Sequence, residues 1–182
     1  MLIASKYEEI YPPYVKDFVY ITDKAFTKEQ VLEMEQSILL NLDYNLTFPT
    51  ALRFLERYSK LAECDEELFH LSSYMMELSL IEVNMNNWSP SLLACAAIYV
   101  AKKIKEIPRP WSNFMSAQTH QNEKDVHKCA KELCYIITNA HQKRYYQAIF
   151  KKYSKKKHFE VAILCKSLSE TKSCSNSASK TQ

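Results

Sequence analysis

Glycine is missing altogether from this 182-residue chain, although average usage near 7% would place about a dozen in a protein of this length. That absence excludes devices that depend on a residue without a side chain. A P-loop, a dinucleotide-binding fingerprint and a glycine hairpin turn are all ruled out, and most nucleotide-binding enzyme classes go with them on steric grounds. No run approaches the eighteen or so continuous apolar residues of a membrane span, and the N-terminus lacks the basic-then-apolar order of a secretory leader. No membrane partner is expected. The six cysteines, Cys64, Cys95, Cys129, Cys134, Cys165 and Cys174, contain no C-x-x-C pair. They read as buried reduced thiols of an intracellular protein, so a nuclear and cytoplasmic location is expected.

The histidines His70, His120, His127, His141 and His158 show no nucleophile–base spacing and no paired-carboxylate arrangement, so no catalytic residue is nominated and the chain is not read as an enzyme. His127 and Cys129 stand two residues apart, which is not the i, i+4 spacing that puts two ligands on one helix face. No metal and no cofactor are expected.

What the chain does have is 47% apolar and 25% charged residues, an ordinary globular balance. The net charge of +3 is unevenly spread: residues 1–70 carry 7 basic and 13 acidic side chains, and residues 141–182 carry 10 and 2. The opening MLIASKYEEIYPPYVKDFVYIT reads as an apolar helix, a charged end at Lys6-Tyr7-Glu8-Glu9, a Pro12-Pro13 break and a short second helix. Glu8 and Glu9 fall at the negative end of the first helix dipole, which disfavours each by roughly 0.3–1 kcal/mol. Such a local conflict marks a place to look for function.

The short second helix has two apolar stripes, Val15 with Val19 and Tyr14 with Phe18 and Ile21, so one side can meet a core and the other a partner. Thr27 to Gln30 form a capping box for an amphipathic helix of about four turns, with Val31, Met34, Ile38, Leu39 and Leu42. Glu35 lies within that stripe and needs a basic or hydrogen-bonding partner. Residues 44–49 form a connector, with Pro49 expected as the first residue of a helix bearing Leu52, Phe54, Leu55, Tyr58 and Leu61. Asp65 caps a long helix with Leu68, Leu71, Met75, Leu78 and Ile81 inward, ended by a polar break at residues 84–87. Ser89-Pro90 starts a helix apolar on every side from Leu92 to Ala101, the pattern of a central buried helix. Asn122 caps a helix whose buried face is Val126, Cys129, Ala130, Leu133, Ile136, Ile137 and Ala140. A basic helical stretch over 141–158 follows, and the run from Phe159 to Leu164 docks on the body. Residues 166–182 lack the apolar content to offset ordering entropy and are expected to be a disordered tail.

Met1–Lys6 and Leu93–Ile98 both look like central helices followed by a turn, a short helix and a long periodic one, a faint internal repeat. The segments SKYEEIYPPYVKDFVYITD, FTKEQVLEMEQSILLNLDY, FPTALRFLERYSK, YMMELSLIE and KKYSKKKHFEVA, in that order, resemble the mitotic cyclins of the A and B types, with the terminal F-E-V-A leaning toward B. The resemblance implies an all-α, tandem cyclin fold: residues 1–46 as the C-terminal part of a first cyclin box, 47–165 as a complete second five-helix domain, and 166–182 as the tail. It further implies a regulatory subunit that pairs with a cyclin-dependent protein kinase as a heterodimer and controls the G2/M transition. Lys6, Glu9, Phe18 and Ile21 are the kinase-binding candidates, Glu9 and Phe18 by match to the family's contacts with the kinase C helix.

Family members carry earlier helices with an M-R-A-I-L substrate-docking patch and a lysine that steadies the counterpart of Glu9. Neither is found here, so the chain is expected to be a fragment begun at an internal methionine, with Leu2, Ile3 and Tyr7 exposed. The competing reading is a nucleic-acid-binding cyclin-like fold of the transcription factor IIB type, suggested by the basic run Lys151–Lys157. A solvated helical end outweighs it, and nucleic acid is not the expected partner.

Overall fold

The computed structural model describes residues 1–167. Its regular structure is helical throughout the described residues, and the chain divides into two compact units, Met1–Phe48 and Pro49–Gln182.

The first unit holds α1 (Leu2–Glu8), α2 (Val15–Ile21) and α3 (Lys28–Asn41). Helix α3 starts where its capping box predicts: the Gln30 N–H donates to Thr27 Oγ1, and the Gln30 side chain accepts from the Thr27 N–H. Its apolar stripe is shallowly covered, with Met34 60% and Ile38 41% exposed, and neither α2 nor α3 contains a fully buried residue. The buried positions of this unit lie on α1. Leu2, expected to be exposed, is 7% exposed together with Ser5, while Tyr7 is open as expected. Leu2 sits in the first turn, where the α1 face turns inward, so the expectation of a wholly uncovered first helix fails at that residue.

The second unit contains α4 (Ala51–Leu61), α5 (Glu66–Ser79), α6 (Pro90–Ile104), α7 (Asn113–Thr119), α8 (Glu123–Asn139) and α9 (Gln147–Tyr153), with a further helical stretch over 161–167. Helix α6 is its axis. Ten consecutive residues, Leu92 to Ala101, are buried, and α4, α5 and α8 pack directly around them. This is the all-round apolar pattern read from sequence, and the small residues Ala94, Ala96, Ala97 and Ala101 within it are completely buried. All seven residues nominated for the inner face of α8 and its C-cap, Val126 through Ala140, are buried.

Asp65, Ser89 and Asn122 each accept a backbone N–H from the third residue of their helix, as expected of N-caps. Pro49, however, is not the first residue of α4. Thr50 stays extended as the N-cap, so the helix begins at Ala51, and Leu52 turns outward at 47% exposure. Helix α5 ends at Ser79, which leaves Ile81 outside it and 39% exposed; the expected polar break becomes a 3₁₀ helix, Val83–Asn87, that buries Met85.

The basic stretch 141–158 is not one helix. It comprises a 3₁₀ turn Arg144–Tyr146, α9 and a second 3₁₀ turn Lys156–His158, because Tyr146 and Tyr153 must both turn inward. The terminal apolar run docks through Val161, Ala162 and Cys165. The helix reaches residue 167, and the remainder of the tail expected over 166–182 lies outside the described residues. Cys95, Cys129 and Cys165 are buried and Cys64 half-buried, but Cys134 is exposed, since it falls one position past the inner stripe of α8.

Candidate functional site

The corner between α1 and α2 brings the nominated residues onto one short stretch of chain. Helix α1 stops at Glu8, and Glu9 takes an extended conformation with its N–H bonded to the Ser5 carbonyl. Ser5 Oγ, part-buried, donates to Glu9 Oε1 at 2.9 Å. A neutral hydroxyl one turn back therefore aims the Glu9 carboxylate, whose residue stays exposed. Glu8, the last residue of α1, and Glu9, its C-cap, both remain at the negative end of the dipole, where their exposure to solvent keeps the cost small.

Lys6 points elsewhere. Its Nζ lies 2.8 Å from Glu35 Oε1 and 2.9 Å from Oε2, and the Glu35 side chain is only 13% exposed. This is the partner that the sequence demanded for a carboxylate within the apolar stripe of α3. It ties α1 to α3 rather than steadying Glu9. An exposed ion pair contributes about 0–1 kcal/mol, but a mostly covered carboxylate stripped of its cation costs more.

Beyond Glu9, Ile10 and Tyr11 are almost fully exposed, and Pro12-Pro13 prevents the first helix from continuing. Helix α2 then starts at Val15, where Asp17 Oδ2 accepts the Tyr14 N–H at 2.9 Å. Phe18 is half-buried, Tyr14 is 74% exposed and Ile21 66%. The stripe read from sequence thus remains open on one side of α2. Contacts between α2 and α3 account for the other side. Tyr7 Oη meets Thr47 Oγ1 at 2.5 Å, fixing the connector to α1.

Among the described residues no group of three or more His, Cys, Asp or Glu side chains is placed to hold a metal ion. The basic run is spread over two elements: Lys151 and Lys152 lie on α9, Lys156 and Lys157 on the following 3₁₀ turn, and Lys152 is paired with Glu77 at 2.5 Å. Sequence reasoning missed a further cluster around Lys143, because Glu82 lies far from its other members in the chain and the tyrosines near Lys143 carry no distinctive spacing.

The described chain is thus all-helical in both units, one wound on a single buried axis and the other carrying an exposed carboxylate and an open apolar stripe. The chain belongs to the cyclin family: the cyclin C-terminal domain matches residues 49–167 and the cyclin N-terminal domain residues 1–47. It is similar to cyclin-B1-2 of Arabidopsis thaliana (37% identity over 164 residues, 90% of this chain and 37% of that protein). Cyclin-B1-3 of Oryza sativa subsp. japonica is 40% identical over 163 residues, again 90% of this chain and 34% of the relative. The G2/mitotic-specific cyclin-B of Patella vulgata is 37% identical over 164 residues, covering 90% of this chain and 40% of that protein. The chain therefore spans well under half the length of these B-type relatives, and the tandem cyclin architecture expected from the resemblance is the family's fold.

Proposed function

We propose that this chain is the regulatory partner in a heterodimer with a cyclin-dependent protein kinase, activating it at the G2/M transition in the nucleus and cytoplasm, with no catalytic role of its own. Within it, residues 1–46 act as the C-terminal part of a first cyclin domain, and residues 47–165 act as the second. Membership in the cyclin family supports the role, as do relatives whose names read G2/mitotic-specific. The observation that carries the site is the α1–α2 corner, where an exposed, hydroxyl-aimed Glu9 lies close in sequence to the open stripe of Tyr14, Phe18 and Ile21. A kinase helix laid on that stripe would bury apolar surface worth roughly 25 cal/mol per Å² while Glu9 receives a basic side chain or backbone donors at its rim. Lys6 contributes by holding α1 on α3 through Glu35.

The test is co-purification of a cyclin-dependent kinase with the chain and with Glu9→Ala plus Phe18→Ala. Capture and kinase activity are expected to fall at least about tenfold in the double variant, as loss of two central contacts should produce. Unchanged capture with an unchanged helical circular dichroism spectrum rejects the site.

A further inference from the structure

In the second unit, four side chains from three elements surround one ammonium group. Lys143 Nζ lies 5.9 Å from the ring centroid of Tyr135 on α8, and 5.4 Å and 5.7 Å from those of Tyr145 and Tyr146 on the 3₁₀ turn after it. Glu82, in the turn after α5, places Oε1 3.9 Å from the same nitrogen. Each ring lies within the roughly 6 Å over which a cation is drawn to an aromatic face. The cage is rigid at its base and open at its mouth. Tyr146 is fully buried and donates its hydroxyl to Glu82 Oε1, whereas Tyr135 is 67% and Tyr145 52% exposed.

We propose that Tyr135, Tyr145, Tyr146 and Glu82 form a recognition cage for an N-methylated lysine on a partner peptide, and that Lys143 fills this cage in cis until it is displaced. Three observations point to that occupant. The resident group shows that the cage accepts a lysine-sized cation. Glu82 Oε1 accepts the Tyr146 hydroxyl and lies beyond hydrogen-bond range of Lys143 Nζ, so this oxygen draws the ammonium by charge while the three rings supply most of the contact. A methylated ammonium, weakly hydrated and carried by aromatic faces and a nearby carboxylate, suits that environment. Two depressions flank the cage and share Glu82 and Asn84. One, of about 600 Å³, runs past Trp88, Tyr135 and Ile136, and another, of about 320 Å³, past Ile81, Val83 and Tyr145. They offer room for residues on both sides of a methyl-lysine, which selects a peptide over a free quaternary amine. The Tyr145 hydroxyl, followed by the negative charge of Glu82, holds the Lys143 ammonium above its ordinary value, so the resident is a cation throughout the physiological range.

An in-cis occupant competes at an effective concentration in the millimolar range, so removing it must raise apparent affinity. The experiment is fluorescence titration of the full chain with peptides carrying a central trimethyl-lysine in degenerate flanks. The same peptides with unmodified lysine or norleucine, and free tetramethylammonium, serve as comparisons. Expected are preference for trimethyl-lysine, about tenfold tighter binding by Lys143→Ala, about tenfold weaker binding by Tyr135→Ala, and retention by Tyr135→Phe, which keeps the aromatic face. Tyr135 is mostly exposed, so its truncation leaves the core intact. The proposal is overturned if Lys143→Ala gains no affinity, if norleucine peptides bind equally well, or if tetramethylammonium matches the peptide. A purely structural cage gives the first of these results together with lowered thermal stability of Lys143→Ala.

Discussion

A thiol enclosed by apolar helices cannot ionise without carrying charge away from water. Burial pushes Cys95, Cys129 and Cys165 each up to about 12, with minor contributions from neighbouring groups. Two consequences follow. At pH 8 the thiolate fraction of each is about one in ten thousand, so thiol reagents should spare these three in the native protein and modify exposed Cys134 before them. Mass mapping after brief alkylation checks this, and early labelling of Cys95 would contradict it. The folded-state values lie above the ordinary thiol value of 9.0, so the native state retains protons that the unfolded chain releases. The associated stability is complete below about pH 9 and lost as pH rises from there toward 12, and urea midpoints should fall across that window. The sequence placed these residues inside by their apolar neighbours; it placed Cys134 there too, wrongly, because one residue of helical phase separates it from the stripe.

At the scale of elements, the absence of glycine reappears as strain at helix ends. Helices α2, α3, α4 and α6 finish in the same way: an i to i−5 backbone bond closes the end, from Lys24 to Val19, Tyr44 to Leu39, Cys64 to Ser59 and Ile107 to Lys102. The residue at the turn is left-handed, with φ of 53° at Asp23, 48° at Asp43, 52° at Glu63 and 55° at Glu106. Glycine ordinarily fills this position. A side chain there costs about 1–2 kcal/mol, and an acidic one also faces the negative end of the dipole. Replacing Glu63 or Glu106 by Gly should therefore stabilise the chain by about 1 kcal/mol after the greater unfolded-state entropy of glycine is subtracted. Equilibrium urea unfolding reads this directly, and a lower midpoint would show that these carboxylates make compensating contacts. Helix starts were legible because Thr27, Asp65, Ser89 and Asn122 are chemically specific caps. Helix ends were less so, since their usual marker is missing and nothing else in the sequence flags a left-handed Glu.

At the scale of the molecule, the two units are covered to very different extents. Helix α6 could be located from sequence alone because residues apolar on every side have only one stable environment. Its partners α5 and α8 followed from their helical stripes. The open face of α2 showed in its double stripe, but the role proposed for Glu9 and Phe18 rests on the family resemblance, since a lone carboxylate and a lone phenylalanine carry no chemistry of their own. The Lys143 cage was invisible because Glu82 and Tyr145 are brought together only when α5 and α8 pack on α6. Local stability should follow the same division. Amides of α6 lie among fully buried residues, whereas α2 and α3 bury none, so hydrogen exchange is expected to be slowest in α6 and fastest among regular helices in α2 and α3. Leu133→Ala, which empties a fully buried site on α8, should lower the stability of the second unit by about 2–5 kcal/mol and accelerate exchange in α6. Exchange in α3 should change little, because its opening does not require the second core to break. Equal protection of α3 and α6 in the parent chain, or an equal rise in both on substitution, would mean that the two units open as one.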